Sequence, residues 1–313
     1  MTVAVILGTA AILIAVAGPK LLESPALGST SPGTRMTAWL AALAGVPVFA
    51  GAALIVSAWP RHPMVESLVD AILLCAGTLS HALPTGTARV VAALMLPVCA
   101  VLAVRLVRAA RRDAGVRARL HHHHRDVLSV IARPVDGVIW LDHPLPLAYS
   151  VAGRPGYVVT SAGLTERLTD NERAAVLAHE RAHLRGRHHH IVSVSETLAA
   201  ALPVLPLFSR APAAIRTLVE LEADRRAARA TDAATVRSAL ATLSPEGQPA
   251  PAGVLTIGTQ VATRLDALAS PAVDRRGGFG GVVAAVLMWV LPAGIALGTV
   301  AGLSAMICAA FIG

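Results

Sequence analysis

The stretch Leu177-Ala178-His179-Glu180-Arg181-Ala182-His183-Leu184-Arg185 carries the pattern HExxH, and the fold is read outward from it. Just upstream, Thr169-Asp170-Asn171-Glu172 matches a capping box, in which the Thr169 hydroxyl and the Glu172 carboxylate satisfy free amides at a helix start. A helix is therefore predicted through Val176, His179 and His183 to about Arg187. Residues four apart on a helix share one face about a turn from each other, so both imidazoles can reach a single zinc ion. Glu180 lies on an adjacent part of that surface, where it can approach a water at the metal without being a ligand. Zinc lowers the pKa of such a water towards neutrality, and the carboxylate can take its proton as the water attacks a peptide carbonyl.

A catalytic zinc site needs three protein ligands and one open position. The best third donor is Glu220, in Glu220-Leu221-Glu222-Ala223-Asp224. On a helix Glu220 and Asp224 share a face, so one carboxylate can bind zinc while the other orients a ligand histidine. Glu222 points about 200° away from Glu220.

With 313 residues, 55% of them apolar, 15% charged and a mean hydropathy of +0.63, the chain does not read as one water-soluble globule. A bilayer-crossing helix needs about 20 mostly apolar residues. Thr2–Gly18, Thr37–Trp59 and Arg89–Val107 come close to that, and a fourth stretch runs from Gly281 to about Ala309. Glu66, Asp70 and His81 interrupt the segment 66–83, which reads as a peripheral or re-entrant helix. The N-terminal stretch is read as retained, because no positive charge precedes its apolar run and Gly18-Pro19-Lys20 is a poor signal cleavage site. Arg105, Arg108, Arg111, Arg112, Arg117, Arg119 and Arg125 follow the third span, and short-loop positive charge stays in the cytoplasm. The domain beyond them is therefore expected there, in a multi-pass protein of the plasma membrane. Much of the net charge of +8 sits in that arginine cluster, beside anionic headgroups, so the lipid bilayer is the expected partner and direct nucleic-acid binding is not. Cys75, Cys99 and Cys308 lie in apolar stretches without a CxxC pair, which argues against disulfides and thiolate metal sites.

The expected organisation is a transmembrane region over 1–125, a cytoplasmic zinc metallopeptidase domain over 126–275 and a C-terminal transmembrane helix over 276–313. The fold class is a mainly α integral membrane protein with an α+β zincin-like domain holding a small sheet. Its strands are Gly137–Leu141, Leu147–Val151 and Tyr157–Thr160, the last two joined by a hairpin loop at Ala152-Gly153-Arg154-Pro155-Gly156. Ile191–Phe208 reads as a buried or membrane-leaning helix, Ala213 to about Arg229 as a further helix, and Ser244–Gly253 as a linker. His188, His189 and His190 read as a solvated helix end, and His121–His124 as a headgroup-facing run.

In the residues 177–185 and Leu218-Val219-Glu220-Leu221-Glu222-Ala223-Asp224, the sequence resembles the zinc-dependent membrane peptidases of the BlaR/MecR beta-lactam-sensor type, particularly their short actinobacterial relatives. The resemblance extends from about Tyr157 to Arg229 and includes Thr160-Ser161-Ala162-Gly163-Leu164. It implies His179, His183 and Glu220 as ligands of Zn2+, Glu180 as catalytic base and Asp224 as the group behind a ligand histidine. It also implies cleavage of the protein itself or of a cytoplasmic repressor, with a winged-helix transcriptional repressor as the candidate substrate, in signalling by regulated proteolysis. The sensors carry a penicillin-binding domain with a Ser-x-x-Lys nucleophile, whereas the only lysine here is Lys20, so covalent sensing of beta-lactams is not expected. Two other readings share the motifs: a membrane quality-control protease like the HtpX type, and a non-catalytic receptor that keeps zinc for structure. A homodimer is compatible with all three.

Overall fold

The computed structural model describes residues 2–24, 27, 30–58, 100–101, 104–112, 115, 133–135, 137–153, 155–244 and 255–269. The peripheral helix at 66–83, most of the third span, the C-terminal span, His121–His124, the three cysteines and most of the linker after Ser244 lie outside them.

The described elements run α1 (Thr2–Leu22), α2 (Pro32–Ala58), β1 (Arg133–Val135), β2 (Val138–Leu141), β3 (Ala148–Val151), β4 (Tyr157–Ser161), α3 (Ala162–Arg167), α4 (Asp170–Arg185), α5 (His188–Ala201), α6 (Pro206–Ala230), α7 (Ala233–Leu243) and α8 (Leu255–Ala269). The described residues are mostly helical, with one small sheet among them.

Among the described residues, two helices are long and apolar enough to cross a membrane, through Val5–Leu22 and Pro32–Leu54 at mean hydropathies of 2.1 and 1.7. They have two kinds of face. Val5, Ile12, Leu13, Val16, Leu21 and Val48 are exposed, as suits contact with lipid tails. On the other side Ala15, Leu22, Met36, Trp39 and Leu43 form one core with Leu207, Phe208, Ala211 and Ile215 of α6.

That shared core explains where α6 begins. Its start is predicted at Ala213, yet it starts at Pro206, a residue suited to the first helical turn because its missing N–H has no partner there anyway. Pro212 then sits inside the helix, at a cost of about 3 kcal/mol for a lost backbone bond and a clash. Leu207, Phe208 and Ile215 are fully buried, and each contributes roughly 1.5–3 kcal/mol, which together outweighs the proline. Ile191–Phe208 is consequently not one helix. Its first part is the end of α5, its last part the start of α6, and the chain turns between them at 202–205. The 14 residues of α5 span about 21 Å, short of the ~30 Å hydrocarbon core.

The sheet has the order β1-β2-β4-β3. β3 and β4 form the predicted hairpin, pairing Ala148 with Thr160 and Val151 with Tyr157. β1 is not foreseen from the sequence, and β2 pairs with β4 in parallel, Val138 opposite Val158. β3 is left as an edge strand, and it packs on α4.

α4 begins as its sequence requires. The Thr169 hydroxyl accepts from the Glu172 N–H while the Glu172 carboxylate accepts from the Thr169 N–H. Asp170 and Glu172 in the first turn and Arg185 in the last complement the helix dipole. Glu172 also accepts a 2.6 Å hydrogen bond from Ser238, which ties the start of α4 to α7.

Candidate metal centre

α4 and α6 pack against each other, and that contact brings the two motif segments together. His179 and His183 are buried, at 9% and 8% exposure, one turn apart on the inner face of α4. Glu220 faces them from α6. The two Nε2 atoms are 3.1 Å apart, and each lies 3.5 Å from a Glu220 oxygen. Ligand atoms at tetrahedral corners about 2.1 Å from a zinc ion are about 3.4 Å from one another. The three donors therefore already stand at the separations of a zinc coordination sphere, and a pair of imidazoles with one carboxylate is a catalytic-zinc donor set.

Behind the donors stands a charged layer. Asp224, one turn after Glu220 and 2% exposed, places Oδ1 2.8 Å from Nδ1 of His179. Arg264 of α8 donates to Asp224 with both prongs at 2.7 Å and reaches Glu220 at 3.2 Å. The arrangement governs protonation. Burial works against the charged form of His179, but the Asp224 and Glu220 carboxylates outweigh it and hold its pKa up to about 9. Among the described residues no such carboxylate stands behind His183, and burial together with the nearby His179 pushes it down to about 3. Burial opposes ionisation of Glu220 and Asp224 as well, yet hydrogen bonds and charges from His179 and Arg264 hold both below their ordinary range.

Glu180, half-buried, lines the same cleft, a cavity of about 800 Å³. Burial raises its pKa, while His179 and hydrogen bonds from Ser150 moderate the rise. Ser150 lies on the edge strand β3, and its hydroxyl is 3.2 Å from Nε2 of His189. Tyr149 and Pro146 continue that wall, and Arg216 with Glu196, an ion pair, form part of the opposite one.

All five residues singled out from the sequence, His179, Glu180, His183, Glu220 and Asp224, line this one cleft. Glu222 points elsewhere, as its helical phase requires, and is buried against Arg225 and Arg226. Three further participants, Arg264, Ser150 and His188, carry no motif. The expectation of a solvated end at 188–190 needs correction: His190 is exposed, but His188 is 1% exposed and lies against His183. The tight turn at Gly186-Arg187 folds it inward, which helical phase alone does not reveal.

Residues 114–217 match the family model of peptidase family M48, so a metallopeptidase domain of that type is present. The match includes both histidines and Glu180, and stops just before Glu220. A protease HtpX homolog of Levilactobacillus brevis is 28% identical over 100 residues, covering 31% of this chain and 34% of that protein, about a third of each. No solved structure matches the chain.

Proposed function

We propose that the protein is a membrane-associated zinc endopeptidase in which His179, His183 and Glu220 hold the metal and Glu180 is the general base. The observation that carries this reading is the donor triangle of 3.1 and 3.5 Å, backed by Asp224. Bound zinc would supply a Lewis acid that acidifies water and polarises the scissile carbonyl. Glu180 takes a proton from the attacking water and returns it to the leaving nitrogen as the C–N bond breaks; its raised pKa suits both halves of that task. The open edge of β3 beside Glu180 suits an extended peptide, which would pair with it through backbone hydrogen bonds.

The substrate class we favour is a cytoplasmic repressor or the chain itself, in signalling by regulated proteolysis, with the catalytic domain on the cytoplasmic side. The arginine-rich stretch after Arg105 and the two motif segments support that reading. A quality-control role has equal support from the similarity to the HtpX homolog. Glu180→Gln separates catalysis from metal binding: purified in detergent, the variant should keep one equivalent of zinc and lose peptide cleavage by about a thousandfold or more. Cleavage at the wild-type rate would remove Glu180 from the mechanism. A co-expressed neighbouring repressor cut by the wild type but not by the variant supports signalling, whereas cleavage restricted to misfolded membrane proteins supports quality control.

A further inference from the structure

His183 presents its Nε2 to His179 and Glu220, and its second nitrogen, Nδ1, to Nδ1 of His188 at 3.1 Å. The rings meet edge to face, with centroids 4.9 Å apart and planes at 88°. His188 opens α5 immediately after Arg187, whose φ of 51° is the left-handed conformation that turns the chain back under α4. The imidazole has its place because position 186 is glycine. A Cβ there would lie 2.3 Å from Nε2 and 2.5 Å from Cδ2 of His188. Among the described residues, Nε2 of His188 is buried without a hydrogen-bond partner, a cost of about 1–3 kcal/mol.

An imidazole that binds a metal through Nε2 carries its proton on Nδ1, and that N–H needs an acceptor to fix the tautomer and the ring plane. We propose that His188 is the positioning residue of His183, accepting its Nδ1–H and aiming its Nε2 into the metal centre. The inference rests on the zinc reading given above. It makes the two ligand histidines unequal: His179 is backed by the carboxylate of Asp224, His183 by an imidazole. Only one side of the centre thus receives added negative charge, which preserves the ion's strength as a Lewis acid. The 3.1 Å contact between the two Nδ1 atoms has room for one proton, so with His183 donating, Nδ1 of His188 is the acceptor.

The test compares two substitutions of similar size in the full-length protein, His188→Asn, which keeps an acceptor in place of Nδ1, and His188→Leu, which has none. Zinc affinity is measured by competition with a chromophoric chelator, beside the melting midpoint of each metal-free variant. The expected result is wild-type-like affinity for the Asn variant and a loss of about 10–100-fold for the Leu variant at matched metal-free stability. The cobalt-loaded Leu variant should also show altered visible bands. Equal affinities for Asn, Leu and wild type would overturn the role of His188 and leave the zinc reading standing. Absence of stoichiometric zinc in the wild type, under conditions where the protein is folded, would overturn both. Gly186→Ala, which crowds the ring without touching His183, should reproduce the Leu phenotype.

Discussion

Arg264 grips Asp224 through two hydrogen bonds of 2.7 Å, although forty residues separate them in the chain. The pair is the outermost layer of the candidate metal centre: Arg264 holds Asp224, Asp224 faces His179, and His179 faces Glu220. α8 is thereby part of the site, even though it contributes no donor.

Arg264→Ala would leave the Asp224 carboxylate buried without its bidentate partner. Removing one member of a buried pair typically costs 3–5 kcal/mol, so the metal-free melting midpoint should fall clearly. Arg264→Lys should recover only part of the loss, because an ammonium cannot reproduce the planar fork. Thermal unfolding followed by circular dichroism, with and without zinc, measures both; an unaltered midpoint in the alanine variant would mean that other contacts carry Asp224.

Ser150 supports Glu180 from the edge strand, and its hydrogen bonds lower the carboxylate's pKa against the upward pull of burial. In Ser150→Ala the pKa of Glu180 should therefore rise further, leaving more of the base protonated in mildly acidic solution. The acidic limb of the pH–rate profile should move to higher pH and the rate below neutrality should drop about tenfold or more. Zinc content should be unchanged. A profile that scales down without moving would assign Ser150 to substrate binding instead.

The protonation of His179 gives metal binding a pH dependence of known sign. With its pKa held up to about 9, the metal-free protein at neutral pH carries a proton that zinc must displace. Apparent zinc affinity should rise about tenfold per pH unit through neutrality and level off near 9. Stability of the metal-free protein should run the other way. A histidine raised above its ordinary 6.5 contributes stability that is fully present below that value and is lost as pH climbs to about 9. Chelator competition and thermal melts across this window measure the two slopes. A flat affinity would indicate that His179 is already neutral before zinc arrives.

Much of the site is legible in the sequence because its spacings are local. The capping box at Thr169 and Glu172 fixes where α4 begins, and from there the helical period alone puts His179 and His183 on one face. The same period separates Glu222 from Glu220 and Asp224. The hairpin of β3 and β4 is likewise a short-range feature, marked by Gly153, Pro155 and Gly156. What periodicity misreads is the stretch 188–208. His188 belongs to a left-handed turn and a glycine with room beside it, and α6 begins early because Leu207 and Phe208 find a core supplied by α1 and α2. Neither circumstance is visible in a window of a dozen residues.

By itself, then, the sequence singled out the residues of the candidate site: two imidazoles and the Glu220 carboxylate as donors, Asp224 a turn beyond Glu220, and Glu180 beside the first histidine, set on two helices by a four-residue period. Only the tertiary structure decided how they are held. The parallel pairing of β2 with β4, the edge position that brings Ser150 to Glu180, the arrival of Arg264 at Asp224 and the burial of His188 under His183 all join residues whose separation no local rule encodes. The physical reason is that helix phase is fixed by backbone geometry within a few residues, whereas such contacts are chosen by which buried surfaces and charges can be satisfied together.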